Sequence, residues 1–155
     1  MVFNRFCSLA ILTLLVSGCA SVPMAPAEVS AKVKAFSPPA TGNSGLYIYR
    51  SLGIGLGASL KKDIWVDSRC IGESAPDVFF YTEVKGNAEH KLSTESEFSP
   101  NDLQLRTESG KHYFIKQYLK PGVFVGGAGL EVVPDTEGKA AIAKLDLAKG
   151  GVCSK

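Results

Sequence analysis

The stretch Lys111-His112-Tyr113-Phe114-Ile115-Lys116-Gln117-Tyr118-Leu119-Lys120 is the clearest strand in the chain, and Pro121-Gly122 closes it. It is rich in aromatic and β-branched side chains, which suit a pleated backbone. Successive strand side chains point to opposite faces. His112, Phe114, Lys116, Tyr118 and Lys120 therefore share one face, and Tyr113, Ile115 and Leu119 the other. Leu46-Tyr47-Ile48-Tyr49-Arg50 has the same two-sided character, with Tyr47 and Tyr49 opposed to Leu46, Ile48 and Arg50. One face of each strand packs inside a sheet-on-sheet core. The other is either a covered layer of cross-strand aromatic pairs or an exposed stripe able to stack on sugar rings. Covering by a helix is the reading favoured for a sheet with aromatics on both sides. The candidate binding face is Tyr47, Tyr49, Phe114, Lys116 and Tyr118.

Working outward, short strands alternate with turn signals. Asp63-Ile64-Trp65-Val66-Asp67 turns through Asp67-Ser68 into Cys70-Ile71-Gly72, which predicts a hairpin. A strand is expected over Asp77 to Val84, followed by the turn Lys85-Gly86-Asn87. His90 to Thr94, Leu103 to Leu105 and Leu130 to Val133 read as further strands, and Glu95 to Asn101 as a loop. Helical spacing appears only late, where Ala141, Ile142, Leu145 and Ala148 fall on one side and Asp135 or Thr136 is the candidate cap. The pattern predicts a mainly β fold: a small antiparallel β-sandwich with one short C-terminal helix.

The N-terminus reads differently. Arg5 and the amine supply positive charge, and Phe6 to Val16 an apolar stretch too short to span a bilayer. Val16-Ser17-Gly18-Cys19 resembles a lipobox, which implies a lipoprotein signal peptide over residues 1–18 and acylation of Cys19. Ala20, with no aspartate in that position, resembles sorting to an outer membrane. Residues 19–43, with Pro23, Pro26, Pro38 and Pro39, read as the lipidated cysteine and a flexible tether. Glu28 to Phe36 carries a weak helical spacing within it. Residues 44–155 remain for the sandwich, its helix and tail.

Seventeen Lys and Arg against fifteen Asp and Glu leave a net charge of +2. That balance argues against nucleic acid, which rewards dense basic patches. Cys70 and Cys153 remain after the signal. They are either free thiols or a disulfide worth ~3–4 kcal/mol in a chain-entropy model, and their spacing fits neither a metal site nor Cys-x-x-Cys.

The order of Phe36-Ser37-Pro38-Pro39, Leu46 to Arg50, the hairpin Ile64 to Gly72, Gly110 to Lys116 and Leu130-Glu131-Val132-Val133-Pro134 resembles a family. It is similar to a group of bacterial lipoproteins known only as a domain of unknown function, with cores like PEGA-type and transthyretin-like sandwiches. Ser68 stands where such hairpins usually carry glycine. The resemblance implies a fold and an envelope location, and no catalytic residues.

No motif supplies a reaction. Gly53-x-Gly55-x-Gly57 lacks the spacing of a dinucleotide loop and leads into a strand. His90 and His112 stand alone on strands and read as surface or edge residues, and no serine lies in Gly-x-Ser-x-Gly. Asp63, Asp67, Glu73 and Asp77 do not follow a calcium loop. The expectation is a non-enzymatic, membrane-anchored envelope lipoprotein that presents its sandwich to an envelope protein partner. It needs no cofactor beyond the lipid on Cys19. The alternative is glycan binding through the aromatic and basic face, and an envelope hydrolase is the third reading.

Overall fold

The structure, a computed structural model, describes residues 21–51, 59–97, 101–124 and 126–154. The signal segment, Cys19 and the Gly53–Gly57 series lie outside the described residues.

Among the described residues two short helices and nine strands follow one another: α1 (Ala27–Val33), β1 (Asn43–Arg50), β2 (Lys62–Val66), β3 (Arg69–Ser74), β4 (Val78–Lys85), β5 (Glu89–Thr94), β6 (Asn101–Arg106), β7 (His112–Lys120), β8 (Gly127–Val133), α2 (Asp135–Ile142) and β9 (Asp146–Leu147). They form a five-stranded sheet in the order β8-β7-β1-β4-β9 and a four-stranded sheet in the order β3-β2-β5-β6. The mainly β sandwich with a short C-terminal helix is therefore the architecture. Its larger sheet is mixed, because β1 runs parallel to β7 and β4 parallel to β9. Period-2 patterning assigns faces but carries no information about strand direction.

Leu46, Ile48, Phe80 and Ile115 of the larger sheet meet Ile64, Val66, Ile71 and Leu92 of the smaller one, and this inter-sheet layer is fully buried. The opposite face of the larger sheet carries Tyr47, Tyr49, Phe79 and Phe114. It is covered by Val33 of α1, Phe36, Ile142 of α2, Leu145 and Leu147. The molecule thus has three layers, helices on sheet on sheet.

The N-terminal segment departs from the expected tether over residues 19–43. From Val22 onward the chain belongs to the fold. Val22 packs against the inter-sheet core. Met24 bridges Ala148, and Ala25 N–H donates to Leu147 O at 2.9 Å. A seven-residue helix is not stable alone in water. α1 persists because Ser30 Oγ accepts the Leu147 N–H at 3.2 Å and Val33 O accepts the Tyr47 hydroxyl at 2.9 Å. The prolines that resembled a spacer instead shape a strap.

The C-terminal helix also ends sooner than its spacing suggested. α2 stops at Ile142, and Leu145 and Ala148 are buried from the chain leading into and out of β9. Pro134, not Asp135 or Thr136, occupies the N-cap position. Asp135 and Glu137 stand in the first turn, where the helix dipole favours negative charge.

At the β2–β3 hairpin, Asp67 and Ser68 both take positive φ, 49° and 63°. This is the geometry of the two-residue turn that matches strand twist. Asp tolerates it by local hydrogen bonding; Ser68 does so without glycine's freedom.

Candidate functional site

The proposed aromatic stripe is largely interior. Tyr47, Tyr49 and Phe114 are buried. Tyr47 stacks on Phe114 with ring centroids 5.1 Å apart, and Phe36 closes over both at 5.2 and 5.8 Å. α2 reaches this layer through Gly138, where an added Cβ would overlap the Phe114 ring. Burial, helped by Glu83, pushes the Tyr47 hydroxyl up to about 12, and burial beside Glu137 and Glu131 does the same for Tyr49. These rings belong to the covered layer that the aromatic alternation favoured, and buried as they are they offer no open face for stacking on a sugar.

Lys116 and Tyr118 sit at the margin of the same strand and are half-buried. Lys116 pairs with Glu131 of β8 at 3.2 Å. Tyr118 lies opposite Gly129, and an added Cβ there would come within 2.5 Å of its ring. The ring fills the space a glycine leaves on the neighbouring strand, and Lys120 Nζ stands 5.6 Å from its centroid.

The histidines are not free surface groups. His90 is buried, with Nδ1 2.6 Å from Asp67 Oδ2 and Nε2 2.8 Å from Lys85 O. Both neighbours are acceptors, so the imidazolium serves both while the neutral ring serves one. Burial opposes ionisation of Asp67, but hydrogen bonds from His90 and Lys91 N–H and the charges of His90 and Arg69 outweigh it, holding the carboxyl below its usual range. His90 thus ties the β2–β3 turn to the β4–β5 turn. Its burial escaped the sequence because Asp67 is 23 residues away.

His112 is half-buried on β7. Its Nε2 faces the carbonyls of Phe36 and Ser37 at 3.3 and 3.1 Å, and its Nδ1 finds no partner among the described residues. Next to it Glu83 accepts hydrogen bonds from Asn43 Nδ2 (2.9 Å), Ala40 N–H (3.1 Å) and the Tyr81 hydroxyl (3.0 Å). The Asn43 bond, with those from Tyr81 and Ala40, lowers the Glu83 carboxyl despite burial. Burial and Glu83 raise the Tyr81 hydroxyl. Glu83, through Ala40 and Asn43, and His112, at Phe36 and Ser37, fasten residues 36–43 to the sheet.

A second polar group lies between the sheets. Ser74 Oγ–H donates to Gln117 Oε1, Gln117 Nε2 to Thr94 Oγ1 at 2.7 Å, and Thr94 Oγ1–H to Asp63 O at 2.8 Å. All four residues are buried. Asp63 accepts Ser154 N–H at 2.9 Å and Ser154 Oγ–H at 2.7 Å. Arg50, also buried, donates from Nη1 to Leu60 O at 2.6 Å, and burial lowers its pKa. A chain of mutually satisfied groups fixes register.

Cys70 and Cys153 form a disulfide with Cα atoms 6.0 Å apart. Gly151 N–H donates to Ile71 O and Glu73 N–H to Val152 O, each at 2.9 Å. The tail therefore lies along the outer edge of β3 and the disulfide holds it there.

The opposite margin is open. Ala128 N–H donates to Glu95 O at 2.9 Å, and Asn101 Nδ2 donates to Ala128 O. Strand alternation then directs the backbone N–H and C=O of Leu130 and Val132 away from β7. Among the described residues nothing pairs with that part of the edge. Beside it, the β7–β8 connection exposes Val123 (73 %) and Phe124 (88 %). Glu97 holds this tip by accepting both their N–H groups at 2.6 Å. The open edge and the fixed apolar tip form the surface that the sequence reading missed. Val123-Phe124 amid glycines was its only signal.

Among the described residues no three His, Cys, Asp or Glu side chains are grouped to hold a metal ion. No described helix is long and apolar enough to cross a membrane.

Comparison with known proteins gives a family and leaves its chemistry open. A protein of Haemophilus influenzae described as "Uncharacterized protein" is 62 % identical over 135 residues, covering 87 % of this chain and 79 % of that one. The family model described as "Protein of unknown function (DUF2846)" matches residues 40–128, from just before β1 into β8. With more than half of its length matched, this chain belongs to the DUF2846 family.

Proposed function

We propose that this protein is a lipid-anchored lipoprotein of the bacterial cell envelope, placed at an outer membrane. It presents its sandwich as a non-enzymatic accessory module to an envelope protein. The lipobox-like Val16-Ser17-Gly18-Cys19 supports the anchor. The observation that carries the partner is the tip at Val123 and Phe124 beside the open edge of β8. A large exposed aromatic on a fixed backbone is what interfaces favour, and a free edge accepts an added strand. The Ser74–Gln117–Thr94–Asp63 chain and the His90–Asp67 pair spend their hydrogen bonds on each other and on the backbone, which supports a binding rather than a catalytic module. Burial of Tyr47, Tyr49 and Phe114 weighs against the glycan alternative.

The test is photo-crosslinking in cells, with a reactive amino acid at Phe124, Val132 or, as control, Gln104 on the solvent face of β6. The reading expects one discrete envelope protein captured at 124 and 132, absent at 104 and lost with Cys19→Ser. Capture that is the same at all three positions, or unaffected by Cys19→Ser, would overturn it.

A further inference from the structure

We infer, resting on the reading that Cys19 carries the lipid, that the sandwich margin built from residues 22–25 and the C-terminal tail lies against the bilayer. Met24, Lys149 and Val152 then sit at the headgroups.

Val22 is half-buried against the inter-sheet core, Pro23 O accepts Lys149 N–H at 2.8 Å, and Met24 bridges Ala148. Cys19 precedes Val22 by three residues, since 22 − 19 = 3. Three extended residues span at most about 11 Å. A free tether up to residue 43 would instead have let the domain stand off by roughly 25 Å and tumble. With so short a link, the surface around Val22 cannot leave the headgroup region while the acyl chains are inserted.

That surface has the character the placement requires. Met24 is 42 % and Val152 68 % exposed, and Lys149 between them in the tail is exposed as well. Val152 follows Lys149 by three residues, so both lie within the same ~11 Å of chain from the Pro23 contact. Apolar side chains flanking a cation suit an anionic headgroup layer. The placement also orients the rest. β8 and β9 are opposite edges of the five-stranded sheet. Four inter-strand spacings separate them by about 19 Å. The open edge of β8 and Phe124 then face away from the membrane, toward a partner.

The test uses the mature acylated protein in vesicles of phosphatidylethanolamine and phosphatidylglycerol with brominated acyl chains, which quench nearby tryptophan. Val152→Trp, Met24→Trp and Phe124→Trp are each read as the increment over the native Trp65. Mass spectrometry first establishes acylation of Cys19. The expected result is several-fold stronger quenching at 152 and at 24 than at 124. A flexible twenty-residue insertion between Ala20 and Ser21 should weaken it. An unmodified Cys19 overturns both the anchor and this placement. Acylated protein with quenching at 152 and 24 no greater than at 124, or quenching unchanged by the insertion, overturns the placement and leaves the anchor standing.

Discussion

The two sheets are built from similar alternating strands, yet they live in different surroundings. β1 is buried along nearly its whole length, with Leu46 and Ile48 inward and Tyr47 and Tyr49 under the helices. β6, in the smaller sheet, alternates half-buried Leu103 and buried Leu105 with exposed Asp102, Gln104 and Arg106. A sheet covered on both sides is held by packing wherever it is touched. A sheet with one wet face depends on its edges and turns, and here that means the disulfide at β3 and the Asp67–His90 contact.

The sharpest way to break the smaller sheet is at its edge. With the cysteines 83 positions apart in sequence, Cys70→Ser with Cys153→Ser should cost about 4.5 kcal/mol in chain-entropy terms, read by denaturant melts with and without reductant. Reduction should also release the tail from Ile71 and Glu73, accelerating exchange of the Gly151 and Glu73 amides.

The larger sheet breaks through its helix-facing layer. Phe114→Ala should cost ~3–5 kcal/mol, typical of a deleted buried aromatic ring. Gly138→Ala introduces a methyl where α2 meets that ring, with an expected loss of ~1–3 kcal/mol from overpacking. Were Gly138→Ala neutral by thermal melt, the helix would not press on the sheet as described.

A smaller effect belongs to the β2–β3 turn. The folded carboxyl of Asp67 is held below its unfolded value. Its contribution is therefore present above the unfolded pKa of ~3.9 and fades as pH falls through the lower folded value. Asp67 is half-exposed, so solvent screening keeps this below about 1 kcal/mol. Asp67→Asn, which tolerates positive φ, should melt earlier than wild type at neutral pH, with the gap closing under acid. The least effect is expected on the wet face: Gln104→Ala should stay within ~0.5 kcal/mol.

The same contrast explains what could be read in the sequence. Two-sided aromatics on β1 and β7 announced a covered sheet, and Asp67-Ser68 announced a hairpin. The cover itself was half hidden. α1 is short, flanked by prolines and without a capping side chain, so its existence depends on the Tyr47 and Leu147 contacts. β9 has only two residues, too few to show a period. The candidate site followed the same logic. Aromatic residues on strands looked like a binding face, whereas among the described residues the exposed aromatic is Phe124, on a turn where no periodicity marks it.

The pairing of residues 23–25 with 147–149 sets an order of events for a chain that emerges N-terminus first. The first segment to appear has nowhere to lie until the last strand arrives. Until then Tyr47, Tyr49 and Phe114 present an uncovered aromatic surface. Contacts this distant along the chain form slowly, so the newly made protein passes through an adhesive stage. Its need for a chaperone is expected to be greatest before residue 147 is free, and to end abruptly afterwards.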